Sequence, residues 1–316
     1  MNKFIRPNVI ISKCLCGARC RWDRDRLDYP FVRTLRKYAR IIPVCPEIEI
    51  GLGVPRDRII LVQRDNSIAL YQSTTRRHLA QKMNRFSCQY LSDHTDVDGF
   101  ILKHKSPSCG VRGVKLYESI TLDARFTRTG TGLFAATVLE RCSHLAITDE
   151  DQLERNRTRE HWLTQLFTLA TFRSVRKSHS FKRLRAFHTQ HRLLLQTYHK
   201  RLTKDLDQAL TQSDADTDNA CAVIEQYECM LNRILATSPR RTSVIKPFES
   251  ALEYYAQYLS TQDIKRFEHQ LDSYRACELP LSELRKTVQI WAVRYDKRFT
   301  RQDAVFRPYP GPLASA

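Results

Sequence analysis

The first half of the chain alternates short apolar runs with stretches of helical spacing. Residues 8–11 (Asn8-Val9-Ile10-Ile11) and 41–44 (Ile41-Ile42-Pro43-Val44) read as buried strands. Two more runs, 58–62 and 67–71, flank Asp65-Asn66, which suits a turn. Between residues 74 and 91, Leu79, Met83, Phe86 and Tyr90 recur at intervals of four, three and four, one stripe of a helix. Gly99-Phe100-Ile101-Leu102 reads as a strand, and residues 133–139, after Gly130-Thr131-Gly132, as a helix. Strands separated by helices predict an α/β domain with a mostly parallel sheet.

From about residue 148 the pattern changes. After the acidic Asp149-Glu150-Asp151, helical spacing dominates, with candidate helices at 152–173, 181–211, 217–236, 244–260 and 281–298 and a loop at Asp214-Ala215-Asp216-Thr217. The expected organisation is an α/β domain over residues 1–148 followed by an all-α domain over 149–316.

That layout locates the chemistry, because ligands of open α/β sheets bind beyond the carboxyl ends of the strands. Cys14, Cys45 and Cys109 each follow an apolar strand by a few residues, so all three can reach one edge. No C-x₂-C pair of the kind that binds zinc occurs. Three thiolates on separate loops fit an iron–sulfur cluster with one iron open to a soft ligand such as sulfur. Of the ten cysteines, Cys88, Cys142, Cys221, Cys229 and Cys277 are expected to be small buried hydrophobes.

Charge adds a partner class. The 316 residues carry 52 Lys and Arg against 34 Asp and Glu, a formal charge of +18. Between Thr171 and Lys204 stand ten basic residues and no acid, interleaved with His179, His188, His191 and His199. Such a stretch suggests a polyanion, most commonly nucleic acid. Arg183, Arg185, Arg192, Lys200 and Arg201 are the candidate phosphate contacts, weighed equally against an ordinary solvated surface. His188, His191 and His199 are expected on one helix face, as packing or RNA-stacking side chains, and Leu193-Leu194-Leu195 in the core. No apolar run is long enough for a membrane span, and Arg6-Pro7 interrupts the N-terminal apolar stretch, so a cytoplasmic protein without a signal peptide is expected.

Three segments carry a resemblance: Ser12-Lys13-Cys14-Leu15, the run from Cys45-Pro46-Glu47 to Gly53-Val54-Pro55-Arg56, and Ser106-Pro107-Ser108-Cys109-Gly110. Together they resemble the thiouracil desulfurase family. The second half, through Phe187-His188-Thr189-Gln190-His191-Arg192 and Pro308-Tyr309-Pro310, is similar to the helical domain fused to it in bacterial tRNA 4-thiouridine desulfidases. One departure is Arg21-Trp22-Asp23-Arg24, where the family tends to have Arg-Tyr-Asp-Gly or Arg-Tyr-Asn-Gly.

The resemblance implies a 4Fe–4S cluster on Cys14, Cys45 and Cys109, with substrate sulfur on the fourth iron. It makes Cys20, and more weakly Cys16, lesser candidate ligands. It implies Glu47 as acid/base, Ser106 as assisting hydroxyl, and Arg21, Asp23, Arg56 and Ser108 around the substrate. The expected reaction removes sulfur from 4-thiouridine in tRNA without net redox change. No protein partner is evident and a monomer is expected. Two rivals remain: a desulfurase of free thiouracil or thionucleotides, and a noncatalytic RNA-binding protein holding a structural metal. On blander readings Glu47 forms a surface ion pair with Arg56, and Ser106 and Ser108 cap a turn.

Overall fold

The computed structural model describes residues 4–64, 67–121, 124–212, 220–295 and 303–316. The turn expected at Asp65-Asn66 and the loop expected at Asp214-Ala215-Asp216-Thr217 lie outside the described residues. Contacts divide the chain into Arg6–Arg155 and Asn156–Ser315, with Phe4 and Ile5 counted in the second unit. The division falls just past the 148/149 boundary read from the sequence. The Asp149 carboxylate is fully buried and accepts from the Gln152 N–H at 2.8 Å. Glu150 accepts from the His104 N–H at 2.7 Å. The acidic stretch therefore closes the first unit.

In that unit β1 (Asn8–Ser12), β2 (Arg40–Val44), β3 (Ile59–Arg64), β4 (Ser67–Gln72), β5 (Gly99–Leu102), β6 (Val114–Tyr117), β7 (Phe126–Gly130) and β8 (Ala146–Asp149) form two sheets. The first, in the order β2-β1-β5-β8, is entirely parallel, with Ile10 opposite Ile42 and Phe100. Its central strands are apolar on both faces, and Val9, Ile10, Ile11, Phe100, Ile101 and Leu102 are all wholly buried. The second, in the order β4-β3-β6-β7, is mixed: β3 pairs parallel with β6, and its outer pairs are antiparallel.

The helices of this unit are α1 (Pro30–Leu35), α2 (Pro46–Glu49), α3 (Ala80–Asp93), α4 (Leu133–Cys142) and α5 (Glu150–Leu153). The helix read from residue 74 begins only at Ala80, because the Leu79 N–H donates to the Leu70 carbonyl at 2.8 Å and His78 bridges Tyr71. Leu79 and Met83 of its stripe are buried, with Phe86 and Tyr90 packed against the same core.

The second unit is helical among the described residues: α6 (Asn156–Arg176), α7 (Phe181–Gln212), α8 (Ala220–Leu235), α9 (Arg241–Tyr255), α10 (Thr261–Arg275) and α11 (Leu281–Arg294). The sequence reading has no counterpart for α10. The long α7 is two arms broken at His199, whose backbone (φ −153°, ψ 91°) is not helical. In one straight helix, residues 188 and 207 would stand about 28 Å apart at ~1.5 Å per residue. Instead His188 Nε2 lies 2.7 Å from Asp207 Oδ1, so the arms run antiparallel. His199 Nδ1 accepts the Leu202 N–H at 3.2 Å, capping the second arm.

This break also separates the three histidines. His188 and His191 are buried packing residues and His199 is exposed, so no single histidine face exists. Leu194 and Leu195 are core, with Leu193 packed against it. Cys221, Cys229 and Cys277 are exposed, contrary to expectation: Cys229 lies on the side of α8 away from Ile224, Tyr227 and Leu231, Cys221 stands in its first turn, and Cys277 sits in a turn at φ 69°. Among the described residues no helix is long and apolar enough to cross a membrane.

Candidate active site

The three cysteine segments begin where neighbouring parallel strands end. After β1, a single helical turn (Lys13–Cys16) carries Cys14 and closes on Gly17, whose N–H donates to the Cys14 carbonyl at 3.2 Å. After β2, Cys45 is the N-cap of α2 and Pro46 fills the first helical position, where no N–H is needed. After β5, residues 103–108 lead to Cys109. All three thiols line one cleft of about 320 Å³, and Cys20 lines it with them.

The Cys109 loop is fixed from behind by the start of α4. The N–H groups of Gly132, Leu133 and Ala135 donate to the carbonyls of Gly110, Pro107 and Ser108 at 2.8, 3.1 and 3.0 Å. Otherwise unpaired donors of a helix N-terminus thus hold the loop. The approach requires glycine: a Cβ on Gly132 would fall 2.5 Å from the Ser108 carbonyl oxygen, and one on Gly110 2.8 Å from that of Ser106.

Cys14, Cys20, Cys45 and Cys109 are each at most 9% exposed and none is in a disulfide. Hydrogen bonding with the Cys14 thiol, partly countered by Cys45, raises the Cys20 thiol to about 11. Cys45 is raised by its hydrogen bond with Cys20, by burial and by the Glu47 charge. Burial foremost, then Glu47, raises Cys109. Without a bound cation the Cys20, Cys45 and Cys109 thiols are held neutral.

Glu47, in the first turn of α2, is 8% exposed and accepts the Cys45 thiol at 3.3 Å. Arg56 spans the same place: its guanidinium donates to the Cys20 and Gly53 carbonyls at 2.8 and 3.0 Å and lies 3.9 Å from Glu47 Oε2 and 4.0 Å from Cys45 Sγ. The Glu47–Arg56 pair therefore exists, but inside the cleft rather than on the surface. Lys13, Arg21, Arg58, Lys103, Lys105 and Lys115 also line the cleft, against Glu47 as the one lining carboxylate among the described residues. Such a site favours anions and anionic ligands.

The remaining expected residues divide. Ser106 lines the cleft, and its Oγ accepts the N–H groups of Ser108 and Cys109 at 3.3 and 3.1 Å, so it organises the thiol loop. Ser108 is fully buried outside the lining, and its Oγ has no hydrogen-bond partner among the described residues. Arg21 lines the cleft while forked onto the exposed Asp23 at 3.0 and 2.7 Å, holding that carboxyl down at about 2. Cys16 lies outside the lining, near Arg36. The sequence reading passed over Ser12, whose Oγ accepts the Lys103 N–H at 2.9 Å and ties β1 to the loop after β5. It noted Trp22 only within a departure from the family pattern and gave it no role; Arg58 lies 5.1 Å above its ring. The first was visible in the Ser-x-Cys-Leu segment; nothing in the sequence pairs Trp22 with Arg58.

In the helical unit Arg183, Lys200 and Arg201 are exposed. Arg192 is instead forked onto Asp207 at 2.9 and 2.8 Å, and Arg185 donates to the Leu210 carbonyl at 3.1 Å and lies over Phe181. The compensating acid lay just beyond the acid-free stretch and was brought back by the bend at His199.

The donor set fits an iron–sulfur cluster better than a single ion. Among the described residues, only His104, Asp149 and Asp151 form a trio of ligand atoms all within 4.8 Å of one another, and Arg112 pairs with both of its carboxylates. The thiols are buried and soft, and among the described residues no three of them come within that distance of one another, as ligands of one zinc would.

Residues 9–150 match the family model described as 2-thiouracil desulfurase. Residues 192–310 match one described as a protein of unknown function (DUF1722). A solved structure described as the [4Fe-4S]-dependent thiouracil desulfidase TudS aligns with a TM-score of 0.37 at 21% identity, over 47% of this chain and 94% of that chain. Comparison with curated proteins gives no match.

Proposed function

We propose that this chain is an iron–sulfur-dependent desulfidase that converts 4-thiouridine in tRNA to uridine in the cytoplasm. The observation that carries the reading is the convergence of Cys14, Cys45 and Cys109, with Glu47 against Cys45, in one cation-lined cleft. The family model over residues 9–150 supports desulfuration of a thiouracil-type ring. The charge of +18 supports a polyanionic substrate, which a free thiobase would not require.

Cys14, Cys45 and Cys109 would hold a 4Fe–4S cluster, with Cys20 close enough to be a further ligand. When bound, the group supplies a Lewis acid for the thiocarbonyl sulfur. The balanced reaction is C4=S plus water giving C4=O plus H₂S, with no electron transferred. Glu47 takes the proton from the attacking water and returns one as sulfide departs. Arg56 keeps that carboxylate oriented, and Ser106 fixes the Cys109 loop. The helical unit would hold the RNA through Arg183, Lys200 and Arg201.

A second reading, desulfuration of a free thiobase, is favoured by the internal engagement of Arg185 and Arg192. Competition decides between them: anaerobically prepared protein is given thiolated tRNA and free 4-thiouracil together. Preferential loss of sulfur from tRNA supports the first reading, and preferential turnover of the free base the second.

A further inference from the structure

The helical unit contains a second cavity, with about 90 Å³ open to water. That is well above the ~10–15 Å³ that admits a single water molecule. The opening turns of three helices line it: Asn156 and Arg157 of α6, Arg241 of α9, and Leu281 and Ser282 of α11. Neither α9 nor α11 has a side-chain cap; the first turns of α6 and α9 contain no acidic residue, and that of α11 contains Glu283, which does not line the cavity. Helix N-termini carry unpaired N–H groups and positive partial charge, so their convergence favours an anion.

The arginines around this cavity are differently engaged. Arg285 is buried and structural: it pairs with Glu160, a carboxylate that also lines the cavity and accepts from Tyr309, and donates to the Val305 carbonyl at 2.9 Å. Arg157 reaches only Ser238 Oγ at 3.4 Å and the Pro239 carbonyl at 3.3 Å. Arg241 donates one bond to the Tyr274 carbonyl at 2.7 Å and lies over that ring at 4.9 Å. Among the described residues neither meets a carboxylate. A guanidinium has five donors in a fork suited to an oxyanion. His161, in the same wall, is driven down to about 4 by burial and is neutral at pH 7.

We propose that this cavity is a phosphate-binding subsite, with Arg157 and Arg241 as its side-chain donors and the uncapped first turns of α9 and α11 around the oxyanion. The phosphate could belong to an RNA backbone or to a free nucleotide; the chemistry of recognition is the same. The RNA source rests on the tRNA reading above, whereas the subsite itself does not.

The test is calorimetric titration of the full chain with inorganic phosphate, uridine monophosphate and a short single-stranded oligoribonucleotide in low-salt chloride buffer. Phosphate should bind the unaltered protein. Arg157→Gln and Arg241→Gln should each weaken it about tenfold, while Arg241→Lys, which keeps the charge but not the fork, weakens it less. Thermal melts check folding, and if Arg241→Gln melts early the rim variant Arg157→Gln carries the comparison. Displacement of phosphate by the oligonucleotide assigns the RNA source. Displacement by the mononucleotide alone assigns the free nucleotide. Absent phosphate binding, or equal binding by Arg157→Gln and the unaltered protein, overturns the subsite. Phosphate binding that follows these variants in a protein inactive on thiolated tRNA would sink the tRNA reading and leave the subsite standing.

Discussion

Glu47 Oε2 lies 3.3 Å from Cys45 Sγ, two residues away in the chain, because Cys45 caps the short helix whose first turn holds Glu47. A carboxylate beside a thiol is a poor arrangement if both ionise with nothing else present. It becomes stable when a cation binds the sulfur and Arg56 stands 3.9 Å from the carboxylate. On the proposed reading the same oxygen would handle a proton beside the cluster.

Glu47→Gln should accordingly keep iron, sulfide and substrate affinity while kcat falls by about 10²–10⁴-fold, since the amide cannot take the proton of water. Iron analysis alongside steady-state rates checks it. Near-normal kcat would assign the base role elsewhere.

Each of Cys14→Ala, Cys45→Ala and Cys109→Ala should yield colourless protein with little bound iron. Cys20→Ala should retain iron and inorganic sulfide, because three thiols remain in the cleft. Cys277→Ala, at an exposed position, should be indistinguishable from the unaltered protein. Absorption near the visible iron–sulfur bands, with iron and sulfide content, reads all five.

Much of this site was legible in the sequence because it depends on where strands end. Val9-Ile10-Ile11 and Phe100-Ile101-Leu102 are apolar without interruption, as central parallel strands are, so Cys14 and Cys109 could be placed on the same edge. The second sheet was half hidden. Strand β7 is Phe126-Thr127-Arg128-Thr129-Gly130, an edge strand with no apolar alternation, and β6 has only four residues. Helix α10 buries only Phe267, Leu271 and Tyr274 against an otherwise polar run, although Ser260 accepting the Asp263 N–H marks its start. The bend at His199 left no local trace, since helical spacing continues through it. What it created was the pairing of Arg192 with Asp207, a contact that no count of basic residues contains.

That pairing narrows the RNA-contact test. Reversing charge at Arg183, Lys200 and Arg201 together should weaken tRNA binding and flatten the dependence of log affinity on log salt by about two to three units. The same reversal at Arg192 should instead loosen the α7 hairpin, seen as a lower melting temperature. An unchanged salt slope in the triple variant would remove these three residues from the interface.

Acid should destabilise the helical unit through its buried histidines. Burial lowers His191 and His161 to about 4 from 6.5, so each folded histidine resists the proton that its unfolded counterpart binds. The unfolded chain therefore holds more protons between pH 6.5 and 4, and stability declines as pH falls through that window. At about 1.4 kcal/mol per pH unit, His191 alone accounts for a loss of roughly 3 kcal/mol. Denaturant unfolding at pH 7 and pH 4.5 should show this decline, and His191→Gln should reduce it. Equal pH dependence in the variant would show that other groups govern it.

The most direct measurement is a single-turnover reaction of anaerobically reconstituted protein with tRNA containing 4-thiouridine, followed by nucleoside mass spectrometry and sulfide analysis. One uridine and one sulfide should appear for each 4-thiouridine lost, with no added reductant or oxidant and no reaction in Cys45→Ala. Thiolated tRNA that stays intact in the presence of iron-loaded protein, or that loses sulfur equally well with Cys45→Ala, would contradict the account.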